Sequence, residues 1–206
     1  MSQFWDERYR RDDYLFGVEP NAFLARQAEV LKPYGQAGAR VLAIADGEGR
    51  NGVWLAEQGL DVHSVDSSVV ALEKARKLAD ERGVTLDLEK VDLVTWPWPE
   101  AAYDVIVGIF IQFLPPDQRT QMFTHIRKSL RPGGLLLLEG YSPRQVELGT
   151  GGPSAVENLY TEELLHEAFS GFEFLELKSY EADIAEGAAH KGPSALIDLV
   201  VRKPAA

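Results

Sequence analysis

Apolar segments of strand length alternate with segments of helical periodicity through the middle of this chain. Strands are predicted at residues 41–45, 62–65, 86–91, 103–109 and 135–139, and helices at residues 52–59, 68–82 and 116–130. Such alternation is typical of a parallel sheet with helices on both faces.

The pattern changes after residue 140. A helix is predicted at residues 161–169, and two runs of alternating apolar residues, 172–180 and 195–202, predict a pair of strands. Residues 181–194 are then expected to form the loop that joins these two strands.

A glycine-rich segment connects the first predicted strand to the first predicted helix. Its spacing, Gly47-x-Gly49-x-x-Gly52, matches the fingerprint of dinucleotide-binding loops. Asp66 ends the second predicted strand, 17 residues after Gly49, where a parallel strand presents a carboxylate to a ribose. Loop and carboxylate together predict a cofactor that contains adenosine.

The charges in this loop argue against a pyrophosphate. Asp46 and Glu48 flank Gly47, and like charges about 4 Å apart cost roughly 1 kcal/mol even in water. S-adenosylmethionine has a cationic sulfur and an amino group that acidic residues attract, and Arg50 can bind its single carboxylate. The alternative is that Asp46 and Glu48 only favour the start of a helix.

Seven motifs in order along the chain carry a resemblance to a known family. They are Phe4-Trp5-Asp6-Glu7-Arg8-Tyr9, Gly17-x-Glu19-Pro20-Asn21, Gly47-Glu48-Gly49-Arg50-Asn51, Val65-Asp66-Ser67-Ser68, Val91-Asp92-Leu93, Tyr103-Asp104-Val105-Ile106-Val107 and Leu130-Arg131-Pro132-Gly133-Gly134. On these motifs the chain resembles the class I S-adenosylmethionine-dependent methyltransferases, and among them the small tellurite-resistance and thiopurine methyltransferase-like group.

The resemblance implies an α/β fold of the Rossmann-like class I methyltransferase type. We therefore expect a mostly parallel seven-stranded sheet with a terminal antiparallel strand pair and helices on both faces. The cofactor implied is S-adenosyl-L-methionine, and the product is S-adenosyl-L-homocysteine.

The chain departs from the family pattern at two places. Most class I enzymes have an acidic residue at the position of Ala43 and a glycine at that of Ala45, so Asp46 is expected to hold the amino end of the cofactor. Relatives often have Cys-His where this chain has Ile111-Gln112-Phe113, which puts a catalytic role of that stretch in doubt.

The predicted cofactor site draws on four further segments besides the loop. Asp66 is assigned to the ribose, with Ser67 and Ser68 either beside it or capping a helix. The complete predicted set is Trp5, Tyr9, Tyr14, Ala45, Asp46, Gly47, Glu48, Gly49, Arg50, Asn51, Asp66, Ser67, Ser68, Asp92, Leu93, Ile109 and Phe110.

Several members of this set have an alternative structural interpretation. The resemblance assigns Asp92 to the adenine amino group and Leu93 to the ring; for Asp92, an ordinary turn at a strand end is the alternative and fits nearly as well. Ile109 and Phe110 either cover the adenine, line the methyl channel or pack in the core.

Aromatic residues near the start and one histidine near the end complete the candidates. The resemblance places Trp5, Tyr9 and Tyr14 at the cofactor, where aromatic faces attract a cationic sulfur, although a helix packing its aromatic side would show them too. His190 matches a Gly-x-x-His element whose histidine is a proposed acid-base or substrate-orienting group in relatives; an idle surface histidine is the alternative. No metal site is indicated.

Composition limits the partners. The chain has 206 residues, 45% of them hydrophobic, which predicts a single domain: residues 1–35 as an N-terminal lid or helical segment and residues 36–206 as the α/β core. A net charge of −11 without a basic run makes nucleic acid and anionic membranes poor partners. With no cysteine and a charged N-terminus, we expect a cytoplasmic protein that is a monomer or a weak homodimer.

These observations leave three hypotheses about function. The first is an S-adenosylmethionine-dependent methyltransferase that transfers a methyl group by direct displacement to a small molecule, such as a thiol or a chalcogen oxyanion. The second is an NAD(P)-dependent oxidoreductase, from the literal glycine spacing. The third is a catalytically inactive S-adenosylmethionine-binding protein, from Ala43 and the missing Cys-His.

Overall fold

A computed structural model describes residues 2–205, which contain eight α-helices and seven β-strands. They divide into two compact units. Of the described residues, the first unit comprises 2–96 and Glu186–Ala189, and the second comprises Pro97–Ala185 and 190–205.

The elements of the chain follow each other in an order that alternates helices and strands in its middle part. The helices are α1 (Ser2–Tyr9), α2 (Ala22–Arg26), α3 (Ala28–Gln36), α4 (Arg50–Glu57), α5 (Val69–Arg82), α6 (Pro116–Ser129), α7 (Gln145–Leu148) and α8 (Glu162–Ala168). The strands are β1 (Arg40–Ile44), β2 (Asp61–Asp66), β3 (Asp87–Lys90), β4 (Tyr103–Ile109), β5 (Leu130–Tyr141), β6 (Glu173–Glu186) and β7 (His190–Arg202). A short 3₁₀ helix spans Val156–Asn158.

The first unit is built on three parallel strands in the order β3-β2-β1. Val41 pairs with Val62 and Ser64 with Leu88, so the loops after β1 and β2 leave the sheet at the same edge. β1 and β2 are buried almost throughout, as the strands of parallel sheets usually are. Helix α5 ends at Gly83, whose φ of 70° is the left-handed conformation that a glycine cap supplies.

The second unit has the strand order β4-β5-β7-β6. β4 and β5 are parallel, whereas β5 and β7 are antiparallel, with Leu137 opposite Val200. The four leucines at 135–138 in β5 are fully buried. This part of the fold therefore places the end of β4 beside Glu139 of β5.

The predicted class of fold is confirmed: seven strands, mostly parallel, with a terminal antiparallel pair. The expectation of a loop over residues 181–194 was wrong, because β6 runs to Glu186 and β7 begins at His190. β6 continues past the predicted residue 180 because its side chains keep alternating: Tyr180, Ala182 and Ile184 are half-buried and the residues between them are exposed. The sequence of this part of the strand is polar. Among the described residues, no helix combines the length and apolarity that crossing a membrane requires.

The middle of β5 is part of the buried core of the second unit. Leu137 is fully buried, so Leu137→Ala should lower the free energy of unfolding by about 2–5 kcal/mol, measured by urea denaturation. Leu175→Ala is the matched control, since Leu175 is 41% exposed and its truncation should change stability by about 0.5 kcal/mol or less. Equal losses in the two variants would contradict this description of the core.

Candidate functional site

The loop between β1 and α4 relies on backbone conformations with positive φ. Gly47 has φ 60°, Gly49 has φ 86°, and Ala45 is held at φ 48° although it carries a Cβ. A Cβ added to Gly49 would lie 2.6 Å from the Cβ of Ala75, so only glycine lets this loop approach α5 so closely. Ala45 accepts a strain of about 1–2 kcal/mol in the same region of conformational space.

Asp46 points its carboxylate back into the protein. The Gly52 amide donates to it at 3.2 Å and the Ser64 hydroxyl at 2.8 Å. Gly49, the N-cap residue of α4, has no side chain, so Asp46 supplies the cap for the first turn. Burial raises the pKa of Asp46 to about 7, although both hydrogen bonds favour the ionised form.

Glu48 is also bound within the protein. Its side chain is almost fully buried; one oxygen accepts from the Lys74 ammonium at 2.7 Å and the other from the Leu15 amide at 2.7 Å. Lys74 donates as well to the carbonyl oxygen of Asp13 at 2.7 Å. The negative charge of Glu48 is therefore balanced, and the loop owes its acidic character to Asp46 and Asp66.

Asp66 joins the ends of β1 and β2. Its two oxygens accept from the Gly47 amide at 2.9 Å and the Ser68 amide at 2.8 Å. Burial raises the pKa of Asp66, and these backbone hydrogen bonds oppose the rise. Each carboxylate oxygen has a second lone pair, so the group that shapes the loop can also accept from a ligand hydroxyl.

Ser68 caps helix α5. Its hydroxyl oxygen accepts from the Ala71 amide at 3.1 Å, and the hydroxyl donates to Asp6 of α1 at 2.6 Å. The helix-cap interpretation of Ser68 therefore describes its geometry, and Ser67 beside it is half-buried. The same contact fixes α1 against the start of α5.

Tyr9 of α1 lies against the loop, and Trp5 of the same helix stacks on Tyr9. Trp5 and Tyr9 stack with ring centroids 5.6 Å apart, and Phe16 meets Tyr9 edge-on. A Cβ added to Gly47 would lie 2.8 Å from the Tyr9 hydroxyl, so this ring sits directly against the glycine. Burial, and then the negative charges of Asp66 and Glu48, raise the pKa of Tyr9.

Tyr14 lies apart from this pair. It packs in a cluster with Val53 and Leu78, and its hydroxyl donates to the Lys74 carbonyl at 3.3 Å. This geometry gives Tyr14 a packing role beside Lys74, and its predicted contact with the cofactor stays a prediction.

Arg50 and Asn51 open helix α4 and reach distant parts of the chain. Arg50 forms a buried ion pair with Glu186 at 2.7 Å, and the Asn51 side-chain oxygen accepts from the Asn21 amide at 2.9 Å. Desolvation opposes ionisation of Glu186, but the Arg50 charge and the hydrogen bonds from Ala22 and Asn21 outweigh it, so the pKa of Glu186 is lowered.

The predicted adenine contacts follow β3. Asp92 is exposed and accepts from the Val94 amide at 3.0 Å, which is the turn at a strand end that the sequence also allowed. Leu93 is buried. Their roles toward adenine stay predictions.

The remaining predicted residues belong to the second unit and form an aromatic group there. Phe110 follows Ile109 at the end of β4 with φ 56°, stacks on Tyr141 at 4.6 Å and meets His190 edge-on at 4.4 Å. A bulky residue in this left-handed conformation is a rare and strained arrangement, of the kind found at functional sites. His190 is half-buried against these rings.

Several residues of chemical interest were missed from the sequence. Gln112 binds both backbone groups of Tyr141, accepting at 2.6 Å and donating at 2.9 Å, which gives the departure from Cys-His a structural role. Glu139 and Asp198 face each other across β5 and β7, both buried, and the Tyr180 hydroxyl lies 3.4 and 3.3 Å from them. Each of these acids interrupts an otherwise apolar strand, and this pattern in the sequence could have marked them as buried polar residues.

The groups of the first unit fit the cofactor that the sequence indicates. Carboxylates of Asp46 and Asp66 suit a cationic amino group and ribose hydroxyls, and the glycines at 47 and 49 let the backbone approach a ligand. Arg50 and the first turn of α4 suit a carboxylate. Within residues 2–205, no group of three or more His, Cys, Asp or Glu side chains is arranged to hold a metal ion.

Comparison with known proteins finds relatives for the central part of this chain. Residues 41–134 match the profile of a family described as a methyltransferase domain. A carboxy-S-adenosyl-L-methionine synthase of Geobacter sp. (strain M21) is 32% identical over 89 residues, which are 41% of this chain and 35% of that protein. A thiopurine S-methyltransferase of Nitrosospira multiformis is 26% identical over 178 residues, which are 79% of this chain and 80% of that protein.

One solved structure extends the likeness to nearly the whole chain. The N-methyltransferase NodS from Bradyrhizobium japonicum, in complex with S-adenosyl-L-homocysteine, aligns with a TM-score of 0.70 and covers 98% of each chain. At 16% identity this likeness shows the fold. The chain spans between about a third and a half of the length of several curated relatives it matches. The resemblance to class I methyltransferases is confirmed.

The Lys74–Glu48 pair generates a stability prediction. Lys74→Met removes the cation and leaves the buried Glu48 carboxylate without its partner, which should cost about 3–5 kcal/mol of unfolding free energy. Lys77→Met on the same helix is the control, because Lys77 is exposed and 3.8 Å from Glu81, and it should cost about 1 kcal/mol at most. Urea denaturation of both variants measures the difference; similar small losses would show that Glu48 does not need its partner.

Proposed function

We propose that this chain, whose residues 41–134 match the methyltransferase domain family, transfers the methyl group of S-adenosylmethionine to a small-molecule acceptor. The observation that carries the proposal is the arrangement of Asp46 and Asp66 at the carboxyl ends of β1 and β2. Both carboxylates lie at one glycine loop, whose remaining acid, Glu48, is neutralised by Lys74. This leaves a negative field that favours a cationic ligand over a diphosphate.

The assignment of ligand groups follows from the chemistry of each side chain. Asp66 accepts from the ribose hydroxyls while it holds Gly47 and Ser68. Asp46, whose oxygens are bound to Gly52 and Ser64, attracts the cationic amino group through its charge. Arg50 receives the carboxylate, and the stacked rings of Trp5 and Tyr9 offer aromatic faces to the cationic sulfur. Ala45, Asn51, Ser67, Asp92, Leu93, Ile109 and Phe110 complete the proposed lining, with Leu93 against the adenine.

The NodS structure with S-adenosyl-L-homocysteine and the thiopurine S-methyltransferase support this cofactor and a small acceptor by analogy. S-adenosylmethionine supplies an electrophilic methyl group when bound. The chain then has to orient the donor, exclude water and admit the acceptor in line, tasks that need no strong base.

His190 is the proposed group for handling a proton. Its imidazole meets the stacked rings of Phe110 and Tyr141 edge-on, with ring centroids 4.4 and 6.0 Å away. An imidazole so oriented can take a proton from an acceptor such as a thiol, whereas a chalcogen oxyanion would not require it.

We further propose that residues 1–206 act as a single functional domain, with residues 1–35 as its lid. We also propose that the protein is cytoplasmic and is a monomer or a weak homodimer.

Calorimetric titration separates the cofactor classes. S-adenosyl-L-homocysteine should bind with a dissociation constant in the micromolar range, corresponding to about −8 kcal/mol, whereas NADH should give no heat of binding. The physical reason is that the diphosphate would meet the Asp46 and Asp66 carboxylates. Binding of NADH without binding of S-adenosylhomocysteine would contradict the methyltransferase proposal and favour the oxidoreductase hypothesis.

A pH titration tests the role of Asp46. With a pKa of about 7 in the free protein, Asp46 is mostly protonated at pH 6 and mostly ionised at pH 8, so its attraction for the cationic amino group grows with pH. S-adenosyl-L-homocysteine should bind about tenfold more tightly at pH 8 than at pH 6, and at pH 6 its binding should release a proton from Asp46.

The control is Asp46→Asn, which keeps an acceptor for the Gly52 amide but cannot ionise. Its affinity should change little between the two pH values. If the variant keeps the pH dependence of the natural protein, the amino group is bound elsewhere.

A further inference from the structure

Glu186 makes more polar contacts with distant segments than its place at a strand end requires. Its oxygens accept from the Ala22 amide at 2.9 Å, from the Asn21 side-chain nitrogen at 3.1 and 3.2 Å, and from Nη2 of Arg50 at 2.7 Å. The side chains of Arg50 and Glu186 are 7% and 10% exposed. One carboxylate thus joins the start of α4 to the segment before α2.

The contact with Arg50 uses only one edge of the guanidinium. Within the described residues, Glu186 is bound to Nη2, and the donors on Nε and Nη1 can serve a second carboxylate. A guanidinium is a rigid planar fork, so fixing one nitrogen fixes the direction of the others. Arg50 is also the first residue of α4, where the helix dipole favours an anion.

The charge balance favours this arrangement over a plain structural ion pair. Glu186 stays ionised, since the pKa of its carboxyl is lowered by Arg50 and its amide donors despite desolvation. Its ion pair therefore holds the buried Arg50 guanidinium in place, whereas a flexible cation would lose side-chain entropy on meeting a ligand.

The same carboxylate fixes the segment that leads from α1 to α2. The turn after Glu186 adds two contacts there: the Ala188 amide donates to the Leu15 carbonyl at 2.9 Å, and Gly187 lies against the backbone of Phe16 and Gly17. A Cβ on Gly187 would come within 2.4 Å of the Phe16 backbone, so this approach requires glycine. Residues 15–22 and Arg50 are thereby tied to Glu186 and the turn that follows it.

We propose that Glu186 is a positioning residue, which orients the guanidinium of Arg50 toward the carboxylate of the cofactor and ties the residues 15–22 segment to the same point. This inference rests on the proposed function, because it assigns the carboxylate of S-adenosylmethionine to Arg50. Glu186 itself contacts Arg50, Asn21 and Ala22, and acts on the cofactor through Arg50.

The test compares two ligands that differ in one group: S-adenosylmethionine and its decarboxylated analogue, each titrated calorimetrically. Glu186→Gln should weaken binding of S-adenosylmethionine tenfold or more, since a charge-assisted contact is misdirected. Binding of the decarboxylated analogue should stay within about twofold of the natural protein. In the double variant Arg50→Ala/Glu186→Gln, the loss of affinity for S-adenosylmethionine should equal that of Arg50→Ala alone, because both changes remove the same contact with the ligand carboxylate.

Each other outcome overturns the proposal. Equal losses for both ligands would assign Glu186 a purely structural role, unchanged affinities would remove it from the site, and tighter binding of S-adenosylmethionine would make Glu186 a competitor for Arg50. If Glu186→Gln does not fold, Glu186→Asp, which keeps the charge but draws it back by one methylene, should show the same selectivity between ligands. Failure of the natural protein to bind either ligand would instead refute the proposed function.

Discussion

Buried charge is the constraint on which the loop after β1 depends. Four ionisable side chains lie in or beside this loop, and each meets a partner fixed by the fold: Asp46 with Ser64 and Gly52, Glu48 with Lys74, Asp66 with Gly47 and Ser68, and Arg50 with Glu186. Removing a charge from water is costly unless hydrogen bonds and opposite charges replace the lost solvation. The loop is therefore a network in which shape and charge are set together.

This network changes the simple electrostatic argument that the sequence allowed. Counting acids suggested that Asp46 and Glu48 attract a cation directly, but Glu48 is neutralised by Lys74, and Arg50 is half of an ion pair. The attraction falls to Asp46 and Asp66, both of which have pKa values raised by burial. Affinity for a cationic ligand then depends on the ionisation of these two groups. Because the pKa of Asp46 is about 7, its share of the attraction changes with pH near neutrality.

Local signals predicted most of the fold and the position of the loop. Helix α5 begins with the Ser68 cap and ends at Gly83, and β4 occupies the predicted residues 103–109, because periodicity and caps act over a few neighbours. Partners that are far apart in sequence could not be predicted in this way. Arg50 and Glu186 are separated by 136 positions, and the strand through residues 181–186 has a polar sequence because only one side of it is half-buried. The methyl acceptor could not be predicted for the same reason: the buried acids and the aromatic rings of the second unit come from strands that are far apart in sequence.

The central claim is that the loop after β1, together with Asp66, holds S-adenosylmethionine, and a crystal structure of the protein with S-adenosyl-L-homocysteine tests it most directly. The account predicts ribose hydroxyls within hydrogen-bond distance of the Asp66 carboxylate, the ligand carboxylate on Arg50, and the Arg50–Glu186 pair intact. A ligand bound away from Asp66, or a diphosphate seated on the glycines in its place, would contradict it.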